Sequence, residues 1–351
     1  MYRMKRAAAT GTIVAALAGL ASCSSPSTPS HGAPSHGATS TASGVARHPT
    51  APAVVASGLH FPVNLTFDSR GGLWFTSGAR GHNPTDGVWY IPPGGRARQV
   101  VKGLAAAGLV WVGNSLYVAS TTTPGTGEIT VLGGFNGNRF ASQRVRLNGL
   151  AVGEHTIGSI AEGPDGHLYI GVGAANDHSG PPGRVLSFAP DGGSPVVKAT
   201  GLTSGFGLAF YGRLLLVTDS GRDDLGPFRP PEKLNEFDPA GPVVDFGAPE
   251  CYGQGGAACA GTRPPLVKFG AHATPTAVAV KGDVAYVAEN GSSFVQNPTG
   301  SDIQRIDLRT GQHTVFWRSP VKHDPVGGAI GPDGNLYVTL FASGEIVRFT
   351  L

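Results

Sequence analysis

Residues 153–173 read GEHTIGSIAEGPDGHLYIGVG, and this stretch decides the fold. An apolar run, a Pro-Asp-Gly turn and a second run of alternating character follow one another. Proline presets the first turn position, aspartate folds its side chain back on the backbone, and glycine takes the left-handed conformation. Two short strands joined this way form a hairpin. His155 stands just before the first strand, as its odd polar member.

The hairpin recurs. Copies begin at Phe61 (FPVNLTFDSRGGLWFTSG), Ala106 (AAGLVWVGNSLYVAS), Thr203 (TSGFGLAFYGRLLLVTDSG), Thr274 (TPTAVAVKGDVAYVAENG) and Asp324 (DPVGGAIGPDGNLYVTLF). Together with the stretch above they make six. Further strands follow, as in GVWYIPP, GEITVLG, GRVLSFAP and DIQRIDL, then ARQVVKGL, SPVVKATGL and HTVFWR. Four strands per unit at a spacing of roughly 40–50 residues is the pattern of a β-propeller. The expected fold is therefore all-β, a six-bladed propeller over residues 51–351. The last unit stops after its third strand, and APAVVASGL at 51–59 is expected to supply the missing outer one. That closure would leave no open sheet edge in the ring.

Composition agrees with many short strands and tight turns: charged residues are 14% of the 351, and 54 are glycine. The formal charge of +3 comes from Arg3, Lys5 and Arg6 in the leader; without them 23 basic residues face 23 acidic ones. No basic surface for nucleic acid or an anionic membrane follows from that balance. The leader, residues 1–22, joins a basic start to a short alanine-rich apolar run, the pattern of an export signal. Leu20-Ala21-Ser22-Cys23 resembles a bacterial lipobox, which implies lipidation of Cys23 and a place on the extracytoplasmic face of the cell membrane. Residues 24–50 are a Ser/Pro/Gly/Thr linker too polar to bury a core. The expected product is a monomer whose only membrane contact is the lipid. Cys251 and Cys259 close a short glycine-rich loop and are expected to form a disulfide in an oxidising compartment.

In a propeller the entries to the inner strands share one face with the loops between second and third strands. Those loops are long here, at 77–86, 174–182, 220–231 and 289–300. Loops gathered on one face of a rigid scaffold commonly carry function. His60, His155, His272 and His323 each stand 14 residues before Trp74, Tyr169, Tyr286 and Tyr337, the second-strand aromatics of their units. Such a set could hold zinc or a similar metal, or one member could act as a general base. Asp177, Asp219, Asp223, Asp224 and Glu289 lie at the same mouth and could orient a histidine or bind calcium.

Residues 201–237, GLTSGFGLAFYGRLLLVTDSGRDDLGPFRPPEKLNEF, resemble the glucose/sorbosone dehydrogenase family of soluble quinoproteins. Those are six-bladed propellers that typically use pyrroloquinoline quinone (PQQ) and calcium. The family's catalytic-histidine segment is similar to residues 154–173, which implies that His155 takes the sugar hydroxyl proton. AHATPTAVAV resembles a second family segment and aligns His272 as a further catalytic candidate. The resemblance also implies cofactor contacts at Arg222, Thr203, Ser204 and Asn290, and a calcium position at Gly221, Arg222 and Asp223. Thr203 and Ser204 stand where the family commonly has an Arg-Asn pair, Gly291-Ser292-Ser293-Phe294-Val295 replaces a Gly-Ser-Trp-Asn-Arg run, and Ala174 replaces an acid. The implied activity is oxidation of a sugar-like small molecule. Two other readings stay open: a non-catalytic glycan- or protein-binding propeller, and a metal-dependent lyase or hydrolase, because GPDGHLYIG and GPDGNLYVT also resemble streptogramin-lyase and NHL-type repeats.

Overall fold

The computed structural model describes residues 51–78, 83–123, 126–152, 155–174 and 180–351. The leader, Cys23 and the linker lie outside the described residues, as does Asp177. Six small antiparallel sheets follow in chain order, here called blades 1 to 6. Their inner strands are Pro62–Phe67, Ala105–Val112, Ile157–Glu162, Ser204–Tyr211, Pro275–Lys281 and Pro325–Ile330. Each inner strand packs beside the next, and that of blade 6 beside that of blade 1. The ring is a six-bladed β-propeller around a cavity of ≈220 Å³, touched by Asn64, Val110, Ser159, Leu208, Val278 and Ala329.

The N-terminal strand Ala53–Ala56 pairs with Glu345–Phe349, with Val54 opposite Val347. It supplies the outer strand of blade 6, as the repeat pattern required. Pairing the two ends of the domain in one sheet turns ring closure into ordinary ladder hydrogen bonds.

Inner strands approach so closely that several positions admit only glycine. A Cβ on Gly327 would stand 2.2 Å from the Val63 carbonyl oxygen, and one on Gly158 2.4 Å from that of Phe206. Every inner strand also carries a register shift near its start, such as between Pro62 and Leu65 or Pro325 and Gly328. Such a bulge leaves a backbone N–H outside the ladder. Buried threonines of the second strands capture it. Thr76 Oγ1 accepts from Asn64 N at 3.0 Å, Thr218 from Gly207 N at 2.8 Å, and Thr339 from Gly327 N at 2.7 Å. Thr76 then donates to the Ala107 carbonyl of blade 2, and Thr339 to the Val63 carbonyl of blade 1. One hydroxyl thus satisfies its own blade and ties the next.

The core lies between blades. Of the repeated second-strand positions, Trp74, Tyr117, Tyr169, Leu216 and Tyr286 are buried and Tyr337 is half-buried, a buried large apolar side chain being worth about 1.5–3 kcal/mol. At the lower hairpins Asp68 accepts from the Trp74 indole and Asp165 from the Tyr169 hydroxyl. Burial and that bond push the Tyr169 hydroxyl well above its ordinary range.

Blades 3 and 4 depart from the four-strand plan in a way the repeat did not foretell. The outer strand of blade 4 is the short Val267–Phe269. The chain reaches it through an insertion whose strand Val244–Asp245 adds parallel to the edge of blade 3, Ala199 opposite Val244. Within the insertion Cys251 and Cys259 are joined by a disulfide, Cα to Cα 5.0 Å. The only helical elements among the described residues are two 3₁₀ turns, Asp223–Leu225 and Ala257–Cys259.

Candidate functional site

Strand direction assigns the faces. Inner strands start, second strands end and third strands start on one face, so the histidine entries and the long loops share it. Across blades 4 and 5 this face is a bonded network of charged groups. His272, 3% exposed and in the left-handed backbone region at φ 64°, sits at its centre. Its Nδ1 lies 2.7 Å from Asp223 Oδ1, and its Nε2 donates to the Gly226 carbonyl at 3.0 Å. Both ring nitrogens therefore face oxygen acceptors. The other Asp223 oxygen accepts from the Ser292 hydroxyl at 2.6 Å, and Ser292 Oγ in turn accepts from Phe294 N. The 220–231 loop of blade 4 and the 289–300 loop of blade 5 are thereby pinned to one another.

A second layer lies beneath. Asp219 and Lys233, 0% and 1% exposed, form an ion pair at 2.8 Å. The other Asp219 oxygen accepts the backbone N–H groups of Thr203 and Ser204, each at 2.9 Å. Glu232 accepts from Gly221 N and from His272 N. Burial, reinforced by the charge of Asp219 and opposed by the Gly221 bond, pushes its carboxyl up to about 8. Glu289 is also pushed well above the usual carboxylate range by burial and then by neighbouring Asp302. Gln304 bridges those two acids at 3.0 Å from each. The 3₁₀ turn opposes Arg222 to Asp224, with guanidinium bonds of 2.9 and 2.6 Å.

These contacts decide what the expected residues can hold. A tricarboxylate cofactor needs guanidinium donors in fixed geometry. Arg222 is already bonded through two nitrogens to Asp224, and the Thr203 and Ser204 amides point at a buried carboxylate. The candidate calcium ligand Asp223 has both oxygens in hydrogen bonds. The residues assigned to PQQ do not fit that group, and calcium at Asp223 would compete with the His272 and Ser292 bonds. The expected histidine-bound metal is likewise corrected: among the described residues no cluster of three or more His, Cys, Asp or Glu could hold one. The physical reason is that each histidine is tied into its own surroundings. His323 Nδ1 donates to the Gly291 carbonyl at 2.9 Å, and His60 Nδ1 stands 3.9 Å from Asp86.

His155 occupies the blade 3 entry, partly buried, its Cβ so near Gly173 that any larger residue there would collide with it. The neighbouring Thr156 hydroxyl meets Thr121 of blade 2 at 3.2 Å. Around the same end of the ring, Ser120 Oγ, Thr203 Oγ1 and the Asn290 amide nitrogen are buried without a hydrogen-bond partner, as is one carboxylate oxygen of Glu289. Buried polar atoms are satisfied by water or ligand when protein does not suffice. Glu232, Lys233, Ser292 and Tyr252 were not among the sequence candidates, although Lys233 lies 5.7 Å from the Tyr252 ring centre. The available signal was the Glu-Lys pair at the head of a strand whose next residue, Leu234, is apolar and buried.

No family model and no curated protein matches the chain. Solved structures do. The PQQ domain of a pyranose dehydrogenase from Coprinopsis cinerea superposes with a TM-score of 0.70 at 17% identity, covering 86% of this chain and 95% of that one. A putative oxidoreductase (glucose dehydrogenase) from Thermus thermophilus gives 0.67 at 22% identity over 85% and 99%. The apo soluble aldose sugar dehydrogenase of Escherichia coli gives 0.61 at 16% over 85% and 99%. At these identities the likeness establishes the fold, a six-bladed propeller shared with sugar-oxidising quinoproteins.

Proposed function

We propose that this chain is an exported, lipid-anchored propeller that binds an uncharged, hydroxyl-rich, sugar-like molecule at the mouth of its central channel. The observation that carries the reading is the set of neutral hydrogen-bonding atoms without protein partners at that end, beside cations, Arg222 and Lys233, that are already paired with Asp224 and Asp219. Hydroxyl groups both donate and accept, so they suit hydroxyl, amide and imidazole partners without asking for net charge. Were the ligand also oxidised, His155 is the residue we assign to take the hydroxyl proton as hydride leaves, since an imidazole titrates near neutral pH. Thr203, Ser204 and Asn290 are assigned to orient the ligand. Export and anchoring rest on the leader, on Cys23 and on the oxidised cysteine pair.

Titration calorimetry with neutral hexoses and the matching uronic acids tests this reading. Neutral sugars should bind more tightly than their acids, and His155→Ala should retain binding. Preference for the acids, or no sugar binding at all, would overturn it. Mass analysis of the mature N-terminus tests lipidation at Cys23.

Sugar oxidation is a second reading, favoured by the shared fold with sugar dehydrogenases and by His155. PQQ would supply the hydride acceptor in such chemistry. The residues assigned to it do not fit it. Equilibrium dialysis should find no PQQ bound at micromolar quinone with Ca²⁺, and stoichiometric binding would restore the oxidoreductase reading.

A further inference from the structure

Three aromatic side chains of the described domain are strongly exposed: Phe61 at 43%, Phe228 at 91% and Phe294 at 76%. All three stand on the loop face around the channel mouth. The other large apolar residues that are exposed are valines, mostly on the outer strands. Phe61 precedes the inner strand of blade 1 and stacks on Phe341, ring centres 4.8 Å apart. It holds a left-handed backbone, φ 45°, a conformation that costs a non-glycine residue about 1–3 kcal/mol and that clusters at ligand sites. Phe228 lies two residues beyond Gly226, whose carbonyl is held by His272. Phe294 lies two residues beyond Ser292, whose hydroxyl is held by Asp223. The network of blades 4 and 5 thus fixes the loops that carry two bare phenyl rings.

From this we infer that the ligand is a chain of sugar units rather than a single one, its first unit at the mouth and later units lying against Phe228 and Phe294. This rests on the proposed sugar-like ligand and names its class. A pyranose has one face of C–H groups, which covers a phenyl ring, and a hydroxyl periphery, which stays in water. Separate rings set among polar residues suit such a ligand. A membrane-inserting face would combine apolar residues with free lysine and arginine, whereas these loops carry Asp223 and Asp224, Arg222 is committed to Asp224, and Arg229 is bonded to the Leu225 carbonyl. A protein partner would call for one continuous apolar patch. The local cancellation of charge selects a neutral glycan over an acidic one.

The test is calorimetry on the tag-free mature domain with gluco-, manno- and galacto-oligosaccharides of one to six units. One series should show affinity rising about tenfold between one and four units, near the upper end for an aromatic contact. Phe228→Ala and Phe294→Ala should each flatten that rise while leaving one-unit affinity within about twofold, and Trp at either position should restore it. Affinity independent of length, with single sugars still bound, would overturn this inference alone. No binding of any sugar would overturn the proposed function with it. Capture of the domain on anionic vesicles through these rings would also overturn it.

Discussion

Asp223 and His272, 49 residues apart in sequence, meet at 2.7 Å and join the loops of two blades. The imidazole is enclosed by that carboxylate on one side and the Gly226 carbonyl on the other. A residue that the sequence offers as a catalytic histidine serves here as the strut of the loop face.

His272→Ala and Asp223→Ala should each release the 220–231 loop. We expect a stability loss of about 1–3 kcal/mol, the cost of a buried polar group left unmatched. Chymotrypsin cleavage after the exposed Phe228 should accelerate severalfold in both variants. Unchanged cleavage would show that the strut does not hold the loop.

The ion pair of Asp219 and Lys233 is buried on both sides. Lys233→Met should cost about 3–5 kcal/mol, because it strands a carboxylate away from water. Adding Asp219→Asn should recover much of that loss. Urea unfolding of the two single variants and the double one measures the coupling, and additive losses would contradict it.

Glu232 gives the domain a pH dependence of definite sign. Its folded carboxyl titrates near 8, against 4.5 for the ordinary value. Between those limits the folded chain keeps a proton that the unfolded chain has released. Stability from this group is therefore full below about pH 4.5 and falls as pH rises toward 8. Glu232→Gln should remove that slope from a plot of unfolding free energy against pH. A slope equal to that of the parent would mean Glu232 is ionised in the fold.

Thr339 accepts from Gly327 N within blade 6 and donates to the Val63 carbonyl of blade 1, each at 2.7 Å. Thr339→Val keeps the shape and removes both, for an expected loss of about 1–3 kcal/mol. The exposed Thr314→Val should stay within about 0.5 kcal/mol. Equal effects in denaturant would deny Thr339 its place in ring closure.

The propeller is legible in the sequence because its signals are local. Two-residue alternation, Pro-Asp-Gly turns and apolar inner strands each depend on neighbours within a hairpin, and six repeats make the ring the only economical way to cover the edges. Even the closing strand at Ala53–Ala56 could be foreseen, because the last unit lacks one. The insertion carrying Val244–Asp245 was not legible, since it breaks the repeat and pairs with a neighbouring blade.

The sequence alone determined the six-fold plan, the closing strand and the register of four histidines at equivalent entries. Tertiary structure alone decided what those histidines meet. Asp223, Gly226, Glu232, Gly291 and Ser292 come from loops and strands far apart along the chain, and only their convergence converts His272 and His323 into struts. It also commits Arg222 to Asp224 and aims the Thr203 and Ser204 amides at Asp219. Strand periodicity is a property of one segment, whereas the charge and free valence of a site are sums over every segment that reaches it.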